Sequence, residues 1–307
     1  MKHIYLLFID GLGLGPAGAA NPLDADYPAL RFLAGGQRWT QRADPIRDER
    51  LLFLPLDAGL DVPGLPQSGT GQTSLMTGRN GAQLMGRHFG PWAPRMLWPL
   101  IDRENLLYRL RLLGFPVQFV NAYPPVFFEQ LRRTQRWSVM SRSAHAAGLR
   151  LKGVADVLAG RALTAEMTGQ AWRERLGIPI PLLDPRQAGR RWHALGREVR
   201  LSLYEHYLLD RAGHAQDILW AQRELQKLDR FLQGWLECFD AERDLLLVTS
   251  DHGNVEDLST RGHTRNPVPL LAFGAGVRHW AQARRITDLV PPLLEAASAL
   301  TPFLSAP

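Results

Sequence analysis

Residues 4–15 read Ile-Tyr-Leu-Leu-Phe-Ile-Asp-Gly-Leu-Gly-Leu-Gly, and this stretch decides the fold class. An unbroken apolar run, Ile4–Ile9, ends on Asp10, and glycines follow at 11, 13 and 15. A strand with one wet face alternates apolar and polar residues, whereas one buried on both faces does not. The run therefore predicts a central strand of a parallel sheet, and the glycines predict a flexible turn after it. Further strands are predicted at Leu51–Leu56, Val117–Val120, Ser202–Leu209, Leu245–Val248 and Val268–Phe273. Helical patterns fall between them. Ser68–Gly78 opens on a small polar residue and stops at glycine, and Asn105–Leu113 stops at Gly114. Asp217–Phe239 carries Leu219, Leu225, Leu228, Phe231, Leu232 and Leu236 at helical spacing. A last helix is expected over Ile286–Leu300, interrupted by Pro291 and Pro292.

Strands alternating with helices predict an α/β domain, a mainly parallel sheet sandwiched by helices. The stretch 124–197 breaks the rhythm with glycines, prolines and weak strand signals. It is expected as a small inserted cap on a core of residues 1–123 and 198–307. The chain has 307 residues, 45% of them apolar, enough for one large core. Its single cysteine, Cys238, falls in a predicted helix; it excludes an intrachain disulfide and a cysteine metal cluster. The opening apolar run is too short for a signal core or a membrane span, so a cytoplasmic protein with no membrane partner is expected. The net charge is +6, and residues 124–200 alone hold 13 Arg and one Lys against six acids. A basic surface of this kind suits an anionic partner, or is simply solvated.

Polar residues cluster just past the predicted strands. Asp10 follows the first. Asp210 and His214 stand in DRAGH, Asp251 and His252 in SDHGN, and His263 in GHTRNPVP. In open α/β sheets, sites form beyond the carboxyl ends of strands, so these groups can converge. Taken singly, each has an ordinary reading as a turn former or helix cap. Together they form a nitrogen and oxygen donor set suited to Zn²⁺ or Mn²⁺, with Mg²⁺ also compatible. With a hydroxyl added they exceed one tetrahedral site, which implies two divalent ions. Ser68, at a helix start, has a cap role and a nucleophile role open to it, and the helix end would offer amides to a phosphate.

The segments FIDGLG (8–13), QSGTGQTSLMTGR (67–79), DRAGH (210–214), SDHGN (250–254) and GHTRNPVP (262–269) resemble the alkaline phosphatase superfamily. Within it, they are most similar to the cofactor-independent phosphoglycerate mutase branch. The resemblance implies an alkaline-phosphatase-like core. It implies one ion on Asp210, His214 and His263, and another on Asp10, Asp251 and His252, with the nucleophile bridging toward them. In the family's register the nucleophile is Ser68, with Thr70 the alternate and Thr73 weaker. The mutases carry a large second domain after the nucleophile segment, where this chain has only Asn105–Val120 and the small insert. The expected activity is therefore hydrolysis of a small-molecule phosphate ester through phosphoserine. A phosphomutase is the alternative, and a non-enzymatic anion or nucleic-acid binder is the alternative of another class. Ser68-Gly-Thr-Gly-Gln does not fit the sulfatase pattern, and no nucleic-acid motif is present. Arg87, His88, Arg95 and Asn121 are the expected substrate contacts, and Tyr123 ends a strand on the same edge.

Overall fold

Strand β1 (His3–Ile9) is buried along its whole length. Ile4, Leu6 and Phe8 enter one apolar cluster, and Tyr5, Leu7 and Ile9 enter a second. Such two-sided burial needs helices on both faces of a sheet. The structure, a computed structural model describing residues 1–298, supplies them. The other strands are β2 (Ile46–Arg47), β3 (Leu51–Leu56), β4 (Val117–Phe119), β5 (Leu201–His206), β6 (Asp244–Thr249) and β7 (Val268–Gly274). Their order across the sheet is β2-β3-β7-β6-β1-β5-β4. β1 runs parallel to β5 and β6, and β4 parallel to β5. β7 is antiparallel to both β6 and β3, and β2 is antiparallel to β3. Five strands thus run one way and two the other, so the sheet is mainly parallel. The reversed direction of β7 was not legible in its sequence, because an apolar run buried on both faces reads the same either way.

The stretch 124–197 lies between β4 and β5, and its packing divides it. The Val139–Ala146 helix puts Val139, Met140 and Ala144 into the first cluster. The Pro185–Gly196 helix puts Ala188 and Trp192 into the second. Only the middle has a small core of its own, where Val157, Ala162, Trp172 and Ile180 gather against Ala122. Both flanks of the expected cap are therefore built into the layers that cover the sheet.

The Pro185–Gly196 helix lies tight against Ile218–Leu236. A Cβ on Gly189 would stand 1.9 Å from the carbonyl oxygen of Phe231, and one on Gly234 would stand 2.0 Å from that of Arg186. Backbone cannot yield there as a flexible side chain would. Gly189→Ala is expected to lower stability by ~1–3 kcal/mol, read as a lower denaturant midpoint.

Some local expectations shift. A helix begins at Leu208, so Asp210 and His214 lie on Leu208–Ala215 rather than after a longer strand. Pro291 and Pro292 sit in the first turn of the Val290–Ser298 helix, where proline is tolerated, and do not interrupt it. Residues 299–300 of that expected helix lie outside the described residues. Cys238 lies just beyond the Ile218–Leu236 helix, half-buried. Among the described residues no helix is long and apolar enough to cross a membrane.

Candidate metal centre and nucleophile

The strand order brings the acids together. β6 lies beside β1, so Asp251, past the end of β6, meets Asp10, past the end of β1. Gly11 then turns with φ +70, and a Cβ there would fall 2.7 Å from Asp210 Oδ1. Only glycine lets the chain pass so close in that conformation. Asp210 and His214 are one helical turn apart and share a face. His263 comes from the β6–β7 connection, with Nδ1 2.7 Å from the carbonyl oxygen of Pro66.

Two donor groups result. Asp210, His214 and His263 form one, and Asp10, Asp251 and His252 the other; within each, the donor atoms lie within 4.8 Å of one another. This is the grouping the resemblance implied. The groups abut, since the rings of His252 and His263 stack with centroids 3.7 Å apart. Ser68, first residue of the Ser68–Thr77 helix, places Oγ 3.0 Å from His252 Nε2. The hydroxyl of Thr70, the expected alternate, is engaged with the backbone of Gln67 and Phe89. Thr73 donates to the carbonyl oxygen of Gly69. The amide of Thr70 also donates to Phe89, which leaves those of Ser68 and Gly69 for an incoming anion.

The electrostatics are those of a site assembled for cations. Burial pushes the carboxyls of Asp10 and Asp251 up, and the charge of Asp10 raises Asp251 further. Burial opposes charge on His252, but Asp251 and Asp10 outweigh it and hold the imidazole up at about 10. Burial also works to raise Asp210; His214, His252 and Asn254 together overcome it and hold this carboxyl at about 2. Burial, then His252, pushes His263 down to about 4, so it stays neutral, the form that ligates a metal.

Asp10 Oδ1 and Asp251 Oδ2 are buried without a hydrogen-bond partner. Buried carboxylate oxygens are rarely left so, and two orphans facing imidazoles fit divalent ions. The residues present therefore suit such ions by donor type, convergence and unmet bonding capacity.

Supporting residues escaped the sequence reading. Glu205 lies within β5, buried, and burial, then Asp10 and Asp251, pushes its carboxyl up to about 8. An acid inside an otherwise apolar strand was the available signal. Gln72 donates to Asp10 Oδ2 at 3.2 Å, and Asn254 to Asp210 Oδ1 at 2.7 Å. Glu256, two residues past the SDHGN segment, accepts from the amides of Gly13 and Asn254 at 2.9 and 2.7 Å. Its other oxygen accepts from Asn266 and Thr264. It ties together the loops that carry Asp10, His252 and His263. Glu256→Ala is expected to weaken metal binding about 10–100-fold by metal titration, because these donors lose a shared acceptor and the ligand loops loosen.

The expected substrate residues scatter. Arg87 and His88 line a ~440 Å³ cavity with Gln67, beside the Ser68–Thr77 helix. His88 Nε2 is 3.2 Å from the carbonyl oxygen of Val62, and Arg87 is exposed over Phe89. Arg95 stacks on Trp98, which gives it a packing role. Asn121 is engaged by both the N–H and the carbonyl of Glu205, so it ties β4 to β5.

The Metalloenzyme superfamily sequence model matches residues 202–291, which hold five of the six donors named above. A 2,3-bisphosphoglycerate-independent phosphoglycerate mutase from Cereibacter sphaeroides is 34% identical over 109 residues, or 33% of this chain and 22% of that protein. A phosphopentomutase from Shewanella loihica is 41% identical over 73 residues, 24% of this chain and 18% of that one. The matches thus span about a fifth of the length of these curated relatives. Two solved structures share the fold almost end to end. The PH0037 protein of Pyrococcus horikoshii gives a TM-score of 0.61 at 15% identity, covering 99% of both chains. Alkaline phosphatase from the Antarctic bacterium TAB5 gives 0.55 at 13% identity, covering 98% of both. Residues 202–291 thus match the Metalloenzyme superfamily, and the fold of the whole chain is similar to that of an alkaline phosphatase.

Proposed function

We propose that this protein is a phosphohydrolase that uses two divalent cations and passes through a phosphoserine on Ser68. The carrying observation is the convergence of Ser68 Oγ with His252 beside the Asp10–Asp251 pair. Asp10, Asp251, His252 and Ser68 would hold one ion, and Asp210, His214 and His263 the other. Bound there, the ions supply positive charge that favours the serine alkoxide and balances phosphoryl oxygens. Ser68 Oγ attacks phosphorus, the ester bond breaks, and the alcohol leaves with a proton. Water then cleaves the phosphoserine, giving inorganic phosphate and restoring the hydroxyl. Gln72 and Asn254 keep Asp10 and Asp210 oriented, and the amides of Ser68 and Gly69 are placed to bind phosphoryl oxygen.

Relatives named as mutases support a second reading, in which the phosphoryl group returns to another hydroxyl of the same molecule. The cation-loaded protein on a panel of sugar, glycerate and aryl phosphates separates the two. Hydrolysis predicts stoichiometric release of inorganic phosphate. Isomerised ester without free phosphate would replace it with the mutase reading.

A further inference from the structure

Beyond Asp10 the same sheet edge continues through β5 to β4. Two strand spacings, about 10 Å, carry it from Asp10 to Asn121. A cavity of ~200 Å³ opens there, and its lining includes Tyr123, Trp172, Arg175, Tyr207 and Arg211. Along Arg175 and Arg211 it meets a larger space of ~560 Å³. Arg211 directly follows Asp210 in the chain, and Glu205 stands on β5, between the strand that leads to Asp10 and Asn121, which bonds to its backbone and lines this cavity.

Two guanidinium groups and one phenol here are uncommitted. Arg142, Arg150, Arg161, Arg186 and Arg190 of the basic stretch are all in salt bridges. Among the described residues Arg175 and Arg211 are in none, nor do their guanidinium groups, or the hydroxyl of Tyr207, make a hydrogen bond. Glu166, the acid in the wall, is spent on Thr164 and Thr168. Aromatic walls with two free guanidinium forks suit a planar body that ends in an anion.

We infer that this cavity receives the departing alcohol of the substrate, and that the preferred ester has a flat apolar body with a second anionic group, bound by Arg175 and Arg211. The inference rests on the phosphohydrolase reading for its chemistry, but the cavity can be tested apart from it. The first measurement compares kcat/KM for 4-carboxyphenyl phosphate and phenyl phosphate on the cation-loaded protein. Wild type is expected to favour the carboxylated ester at least about tenfold, mainly through KM. Arg175→Ala and Arg211→Ala should each reduce that preference several-fold, and the double variant should abolish it. Arg211→Lys should recover part of it, since a charge remains. The second measurement is calorimetric binding of benzylphosphonate and its 4-carboxylate by the same proteins. If neither ester is turned over but the carboxylated phosphonate binds tighter to wild type and not to the double variant, the cavity stands and the hydrolase reading falls. Equal preference in wild type and the double variant, by turnover or by binding, overturns the cavity assignment. Melting curves matching wild type exclude misfolding as the cause of a lost preference.

Discussion

Ser68→Ala, loaded with divalent cation, is expected to turn over a phosphomonoester at least about a thousandfold more slowly than wild type while keeping its metal content. Ser68 is the hydroxyl that faces the donor groups, 3.0 Å from His252, while those of Thr70 and Thr73 are bonded to backbone. Removing one oxygen takes away the attacking atom but leaves all six Asp and His donors. The loss should therefore appear in kcat, and acid-quenched wild type, not the variant, should carry phosphate on serine. Wild-type turnover in Ser68→Ala would discard the nucleophile. Lost metal with lost activity would instead make Ser68 chiefly a ligand.

Asp251→Asn should have the second largest effect, and its sign depends on the cation. Asp251 is fully buried, and its raised carboxyl shows that its ionised form is disfavoured there without a counter-charge. A carboxyl raised above its ordinary range weakens the folded state once pH climbs past its unfolded value. Near neutral pH the cation-free variant should thus melt no lower than cation-free wild type. With excess cation the order reverses, because wild type gains binding energy that the variant has lost. Elemental analysis should show reduced metal, and phosphomonoester turnover should fall about a hundredfold or more. A variant with full metal content and unchanged melting in both conditions would remove Asp251 from the donor set.

Much of the centre was legible because its donors occur in short local patterns. Asp10, the Asp210–His214 pair and Asp251–His252 each follow an apolar run, and a strand end is visible in one window of sequence. Glu205 was not legible, because it occupies a strand position that the apolar reading absorbed. Glu256 was missed for another reason: its partners, Gly13, Asn254, Thr264 and Asn266, are joined only by tertiary folding. The helices of 124–197 that cover the sheet looked like an insert, since hydropathy shows that a helix has an apolar face but not which surface receives it.

Sequence by itself determined where the main strands of the sheet fall, the two-sided burial of β1, and the residue types that stand at the strand ends. Those follow from local hydropathy and local turn chemistry, which act over a few residues. The tertiary structure decided which strand ends are neighbours, the reversed direction of β7, the facing of Ser68 and His252 across 184 positions, and the cavity of Arg175 and Arg211. These depend on strand order and helix packing, whose energies come from contacts between segments far apart in the chain, and no local window contains them.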